Sequence, residues 1–308
     1  MNRALRLLGI VATSALCLSA CFDAPPGVDD AAIDSALDAH YGDYVTPLHQ
    51  EMDGALYQGD SALGASEDGY TPPGMDGEAT LPVAWGRRLI RPIARNTMAR
   101  YPDRQHSELT VRNRLEGHLF VDRSDDGVRN PGHRSFVNNW TRQLRMSRVG
   151  GGSEWELKAL TPASVSTLRP GNPTVSIEAV TVWVNDEEAI TLDSPTTFLA
   201  FPNDLPRAGA GDLLRVEVTA INSEPDYSPP LWTFLRANHR RHNLSDDGEG
   251  NDRIADDGVF TVEFVLQSSI RRMFVDAISA STLMVEARED YNAVGWGIPF
   301  YSEGLPPG

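Results

Sequence analysis

The sequence predicts an α+β domain, a helix packed on an antiparallel meander, followed by an all-β sandwich. Three observations predict it. Apolar residues recur at three- and four-residue steps near the start, from Ile33 to Leu48. From Leu81 the period falls to two, with polar and apolar side chains alternating along long runs. After Arg169-Pro-Gly-Asn-Pro173 the runs shorten and Gly, Pro and Asp turns recur roughly every ten residues, the spacing of a sandwich of short strands.

Residues 1–20 read as a leader: Arg3 and Arg6, a short apolar run from Leu7, then small residues before a cut. The run is well short of the roughly 20 residues a spanning helix needs. It ends in Leu18-Ser19-Ala20-Cys21, which resembles the bacterial lipoprotein signal, the lipobox. The resemblance covers residues 1–21 alone. It implies that Cys21 is lipidated on sulfur and becomes the new N-terminus, anchoring the chain to a membrane. An ordinary leader with an incidental cysteine is the competing reading. Cys17 and Cys21 are the only cysteines, so a cleaved chain keeps no thiol for a disulfide or a nucleophile. Two or more acyl chains anchor stably where one binds marginally. Phe22, not aspartate, follows Cys21, which in that family points to the outer membrane of an organism that has two; any other extracytoplasmic membrane face is the alternative.

Residues 21–30 form a tether, with Asp29 or Asp30 placed to cap a helix. Ile33, Ala36, Leu37, Tyr41, Tyr44, Val45 and Leu48 give that helix its apolar stripe, and Gly42 and Pro47 leave one helix or two open. This opens the first domain, 31–168, which contains a flexible loop at 59–80 rich in Gly, Pro, Ser and acid. About four long strands follow. Val111, Asn113, Leu115, Gly117, Leu119 and Val121 alternate with polar residues; Phe136, Trp140, Leu144 and Met146 share one parity; Trp155 and Leu157 open another strand. Tyr101-Pro-Asp103, Ser124 to Gly132 and Gly150 to Ser153 mark the turns. Helix then meander, with the Phe136…Trp155-Glu-Leu157 ending, resembles the cystatin-like and nuclear-transport-factor-2-like cone folds. A cone would offer a pocket lined by Phe136, Trp140 and Trp155 with Arg142 at its mouth, and the default reading of the same residues is core packing.

The second domain spans 172–301, with a tail at 302–308. Val175–Val184, Leu214–Ala220, Leu231–Leu235, Phe260–Leu266, Met273–Ile278 and Leu283–Ala287 are its predicted strands. Between them lies the densest stretch of the chain, Leu244 to Thr261. Asp246, Asp247, Asn251, Asp252, Asp256 and Asp257 can supply oxygens to calcium, and Gly248, Gly250 and Gly258 the turns that ligation needs. The spacing does not match an EF-hand. Asp-Asp-Gly also builds Asx turns without an ion, and Arg240, Arg241 and Arg253 stand near enough in sequence to neutralise the acids. Calcium ligation by Asp246, Asp247, Asp252, Asp256 and Asp257 and a metal-free turn network both remain open. This loop resembles the acidic loop of immunoglobulin-like modules appended to secreted bacterial proteins, which implies adhesion, spacing or assembly.

The net charge of −16 excludes nucleic acid, which demands a basic face. No serine elbow, phosphate-cradling loop, dinucleotide fingerprint or His-Glu-x-x-His pair occurs. His239 and His242 are spaced to share zinc but lack a third ligand; His118 and His133 read as lone strand histidines facing solvent. The expectation is a lipid-anchored cell-envelope protein, non-enzymatic, binding an envelope protein or a glycan through aromatics such as Tyr291, Trp296 and Tyr301. The alternative is a small-ligand binder or enzyme using the cone pocket.

Overall fold

The computed structural model describes residues 28–47, 84–90, 95–122, 131–150, 152–169, 173–223, 231–237, 240–284 and 291–302. The leader, Cys21, the 59–80 loop and the turn Ser124–Asn130 lie outside the described residues.

Two helices come first, α1 (Val28–His40) and α2 (Gly42–Val45), split at Tyr41. Ile33, Leu37, Tyr41, Tyr44 and Val45 are buried, as the apolar stripe requires. Asp29 and Asp30 sit inside the first turn and not at the cap position, because the helix begins at Val28. There they face the positive end of the helix and meet side chains from the meander. Asp29 pairs with Arg148, and Asp30 accepts the Tyr101 hydroxyl.

Fifteen strands follow among the described residues. They are β1 (Ala84–Leu89), β2 (Arg95–Arg100), β3 (His106–Asp122), β4 (Gly132–Arg148), β5 (Trp155–Leu160), β6 (Ala163–Arg169), β7 (Val175–Val184), β8 (Glu187–Leu192), β9 (Leu199–Ala200), β10 (Leu213–Asn222), β11 (Leu231–Ala237), β12 (Arg240–Leu244), β13 (Val259–Val265), β14 (Arg272–Ser279) and β15 (Ala293–Pro299). The third helix, α3 (Ala280–Met284), stands where a strand starting at Leu283 was predicted, and residues 285–290 lie outside the description. The predicted strands at 175–184, 214–220, 231–235, 260–266 and 273–278 all form. β8, β12 and β15 carried no alternation clear enough to find.

The fold class differs from the prediction. Among the described residues strand accounts for 60% and helix for 9%, and one large curled antiparallel sheet replaces the helix-and-meander domain plus separate immunoglobulin-like sandwich. Its order is β1-β3-β4-β6-β15-β14-β11-β12, with β2 alongside β3, β5 alongside β4, and β9 on β5. β6, from the predicted first domain, pairs with β4 on one side and with β15, nearly the last strand of the chain, on the other. A second sheet, β13-β10-β7-β8, packs on part of the first through β7 and β10 against β11, β14 and β15. Alternation tells which face of a strand is buried but not which strand lies beside it, so the sequence could not show this junction.

The curl turns one face of the large sheet inward. Trp85 of β1 packs on Phe234 of β11 with ring centres 5.1 Å apart, and the Arg241 guanidinium of β12 lies 4.6 Å from the Trp85 ring centre. β1 and β12, opposite ends of the strand order, therefore meet across the interior. β11 is buried at every residue, and β14 is buried from Met273 to Ser279. Side chains of one parity enter the curl, those of the other face the second sheet. Gly295 allows the close approach: a Cβ there would stand 2.9 Å from the Val275 carbonyl oxygen and against the Phe274 ring.

Inside the curl Asp276 of β14 is held by Arg87 of β1 and by Arg236 of β11, whose Nη1 is 3.1 Å from its Oδ2. Arg87 Nη1 also donates to Tyr291 Oη at 3.1 Å, and Asn138 Nδ2 of β4 donates to the same oxygen at 3.2 Å. A buried pair contributes little over a well-packed apolar substitute, but breaking one strands the remaining charge. Replacing Asp276 by Asn is expected to cost about 3–5 kcal/mol, read as a fall in urea-unfolding free energy at unchanged slope. A loss below about 1 kcal/mol, the range of exposed pairs, would show that water reaches this network.

Candidate functional site

The acidic stretch joins β12, an edge of the large sheet, to β13, an edge of the small one. A two-way backbone bridge between Ser245 and Thr261 closes its base, with N–H···O distances of 3.0 and 2.8 Å. Glycines and one aspartate take left-handed conformations to fold it: Gly248 at φ 72°, Gly250 at 65°, Asp256 at 59° and Gly258 at 81°.

Asp246 and Asp252 are buried, and their carboxylates hold the loop. Asp246 accepts the Asp257 amide at 3.1 Å on Oδ1 and the Gly258 amide at 2.9 Å on Oδ2. Asp252 accepts the Gly248 amide at 2.6 Å. Asp257, exposed, accepts the Val259 amide at 2.9 Å, an Asx turn of the kind its sequence predicts. One carboxylate oxygen from each of Asp246, Asp252 and Asp257 lies within 4.8 Å of the others. Two oxygens on opposite sides of a calcium ion at 2.3–2.6 Å stand about 4.6–5.2 Å apart, so the spacing fits that ion. Each oxygen taken by an amide keeps a second lone pair.

The structure brings together three of the five predicted ligands. Asp247 closes a local turn on the Glu249 amide at 2.9 Å, and Asp256 is exposed at the positive-φ position. Neither belongs to the converging group. No ion pair reaches Asp246, Asp252 or Asp257 among the described residues, so neutralisation by Arg240, Arg241 or Arg253 is not what holds the acids together. Burial pushes the Asp246 carboxyl above the usual range; the Gly258 and Asp257 amides pull it down, and the charges of Asp257 and Asp252 raise it further.

The residues assigned to a cone pocket fill a core. Phe136, Trp140 and Trp155 are buried, with Phe136 stacked on Tyr291 at 4.7 Å. Arg142 is not at a mouth: only 1% exposed, it donates to the Gly297 carbonyl at 2.7 Å and to that of Tyr44. Tyr291 and Trp296 are buried too, leaving Tyr301 as the partly exposed member of the proposed glycan platform. His242 stacks on Phe264 at 4.0 Å, and burial, then the Arg240 charge, lowers its pKa; His239 lies outside the described residues. The Arg87–Asp276–Arg236 network was missed, because its members are 40 to 189 residues apart and only the curl brings them together. Comparison with family models, with curated proteins and with solved structures finds no match to this chain.

The raised Asp246 carboxyl makes stability depend on pH in a fixed direction. A folded value above the unfolded one means the folded chain binds that proton more tightly. The stability this contributes is full below the unfolded value of about 3.9 and is lost as pH rises through the folded value. In chelator, the wild-type melting temperature is therefore expected to fall relative to Asp246→Asn as pH rises from 4 through that window. Melts recorded from pH 4 to 7 check this; parallel curves for the two proteins would contradict it.

Proposed function

We propose that this chain is a lipid-anchored extracytoplasmic module that binds an envelope partner, protein or glycan, or organises a surface assembly without catalysing a reaction, and that calcium rigidifies its acidic loop. The observation that carries the reading is the convergence of Asp246, Asp252 and Asp257, without a cationic partner, in the segment that ties the edges of the two sheets together. Like charges held this close repel unless a cation shares them. A divalent ion would thus act as a clip between the sheets.

The membrane address rests on Leu18-Ser19-Ala20-Cys21. Against a pocket enzyme stands the disposition of the interior: Arg87, Arg236 and Asp276 pair with one another, and Arg142 serves backbone carbonyls. A binding or structural role asks for a rigid scaffold, and a curled sheet braced by a second sheet supplies one.

Calcium at about 100 times its dissociation constant is expected to add about 2.7 kcal/mol to unfolding, and Asp252→Asn to remove most of that gain. Equal melting temperatures in calcium and in chelator would end the calcium reading. Labelled palmitate is expected to enter the wild-type product and not Cys21→Ser; equal labelling of both would remove the anchor.

A further inference from the structure

We infer a second metal site, independent of the acidic loop, formed by His118 and His133 on the outer face of the β3–β4 hairpin. The sequence places them 15 residues apart on different strands, where each reads alone. The register sets His118 opposite Ser135 and Phe120 opposite His133, so the histidines are diagonal neighbours on one face. Their ring centres are 5.1 Å apart with planes at 80°. His133 is exposed and His118 half-buried, so an ion can reach both.

The separation matches tetrahedral ligation. With Zn–N bonds of 2.0–2.1 Å a ring centre lies about 3.2 Å from the metal, and two imidazoles on one tetrahedral ion then have centres about 5.2 Å apart. Ser135 Oγ lies 3.3 Å from His118 Nδ1. A proton on Nδ1 donated to that hydroxyl leaves Nε2 as the lone-pair nitrogen, the arrangement by which outer partners orient metal-binding histidines. Among the described residues neither nitrogen of His133 has a hydrogen-bond partner, and its ring lies 5.9 Å from that of Phe120. Imidazole suits zinc-class divalent transition ions, and calcium prefers oxygen. Water completes the coordination of such a two-histidine site.

Arg88 of β1 is directly opposite His118 in the register and exposed. Its charge opposes a cation and would favour an anion, which gives the test its two arms. Zinc alone is titrated into the full chain by calorimetry, with imidazole NMR shifts followed in parallel. One zinc per chain is expected in the wild type and in Asp246→Asn. Affinity is expected to fall roughly tenfold or more in His118→Gln and in His133→Gln, and to rise in Arg88→Gln. Both histidine positions are at least partly open to solvent, and circular dichroism melts are the check that the variants fold. Zinc affinity unchanged in both histidine variants, or no zinc binding at all, overturns the site. So does binding of inorganic phosphate on the same residues that weakens in Arg88→Gln, which would make the face an anion site.

Discussion

A strand left at the edge of a sheet presents a row of unsatisfied amides and carbonyls, and this molecule is organised around closing two such edges on each other. β6 ends the N-terminal meander and β15 ends the C-terminal strands; each would be an open edge alone. Their pairing, from Ala163 with Gly297 to Ser166 with Val294, joins the two halves through backbone hydrogen bonds. Backbone groups pair whatever the side chains are, so a junction of this kind leaves only a faint trace in sequence.

From that junction the rest follows. A twisted antiparallel sheet this wide curls, and the curl on one side and the second sheet on the other bury both faces of β11 and β14. A charge on the inner face is costly there unless it is matched within it. Asp276 meets Arg87 and Arg236, and Tyr291 receives Arg87 and Asn138. The N-terminal helices are tied in the same way. Tyr44 donates its hydroxyl to the Phe300 carbonyl at 2.8 Å, Arg272 donates to the Thr46 carbonyl at 2.7 Å, and Arg271 pairs with Asp43. Burial pushes the Tyr44 phenol up to about 12 against the pull of Arg271 and Arg142, so it remains a donor at neutral pH. The first and last described segments of the chain are thereby held together, although no alternation pattern links them.

The chemistry that remains available sits where this packing leaves groups unmatched. Arg87 and Arg236 are paired with Asp276 in the interior, whereas Asp246 and Asp252 of the β12–β13 loop are buried with no cationic partner among the described residues. Asp257 beside them is exposed, and the histidines of the β3–β4 hairpin lie on its outer face. The two places differ in ligand type. One offers carboxylate oxygens held by backbone amides, the other imidazole nitrogens on a rigid hairpin, and hard and borderline cations separate accordingly. The first lies at the seam between sheets and can act on how they are joined. The second lies on a hairpin whose strands pair along almost their whole length, from His106 with Ser147 to Val121 with Gly132, which holds donor atoms steady.

Much of this was legible from residues alone. Period three and four marked the helices through Ile33, Leu37 and Tyr41, and period two marked β3, β4 and β10, because burying one face imposes its own rhythm on the side chains; β7 was marked by a near-continuous apolar run. Asp246, Asp252 and the glycines around them announced a folded acidic loop, since left-handed turns and Asx bonds are local and are written locally. Strand neighbours, curl and convergence were decided only in three dimensions. β6 could not be matched to β15, nor Arg87 to Asp276, nor His118 to His133, because register and sheet order depend on contacts between residues far apart in the chain. Which of the five aspartates converge was likewise settled by loop geometry, since Asp247 and Asp256 have the same chemistry as their neighbours but point elsewhere. Local patterning determined the pieces and their faces; the requirement that every buried edge and charge find a partner determined how they were joined.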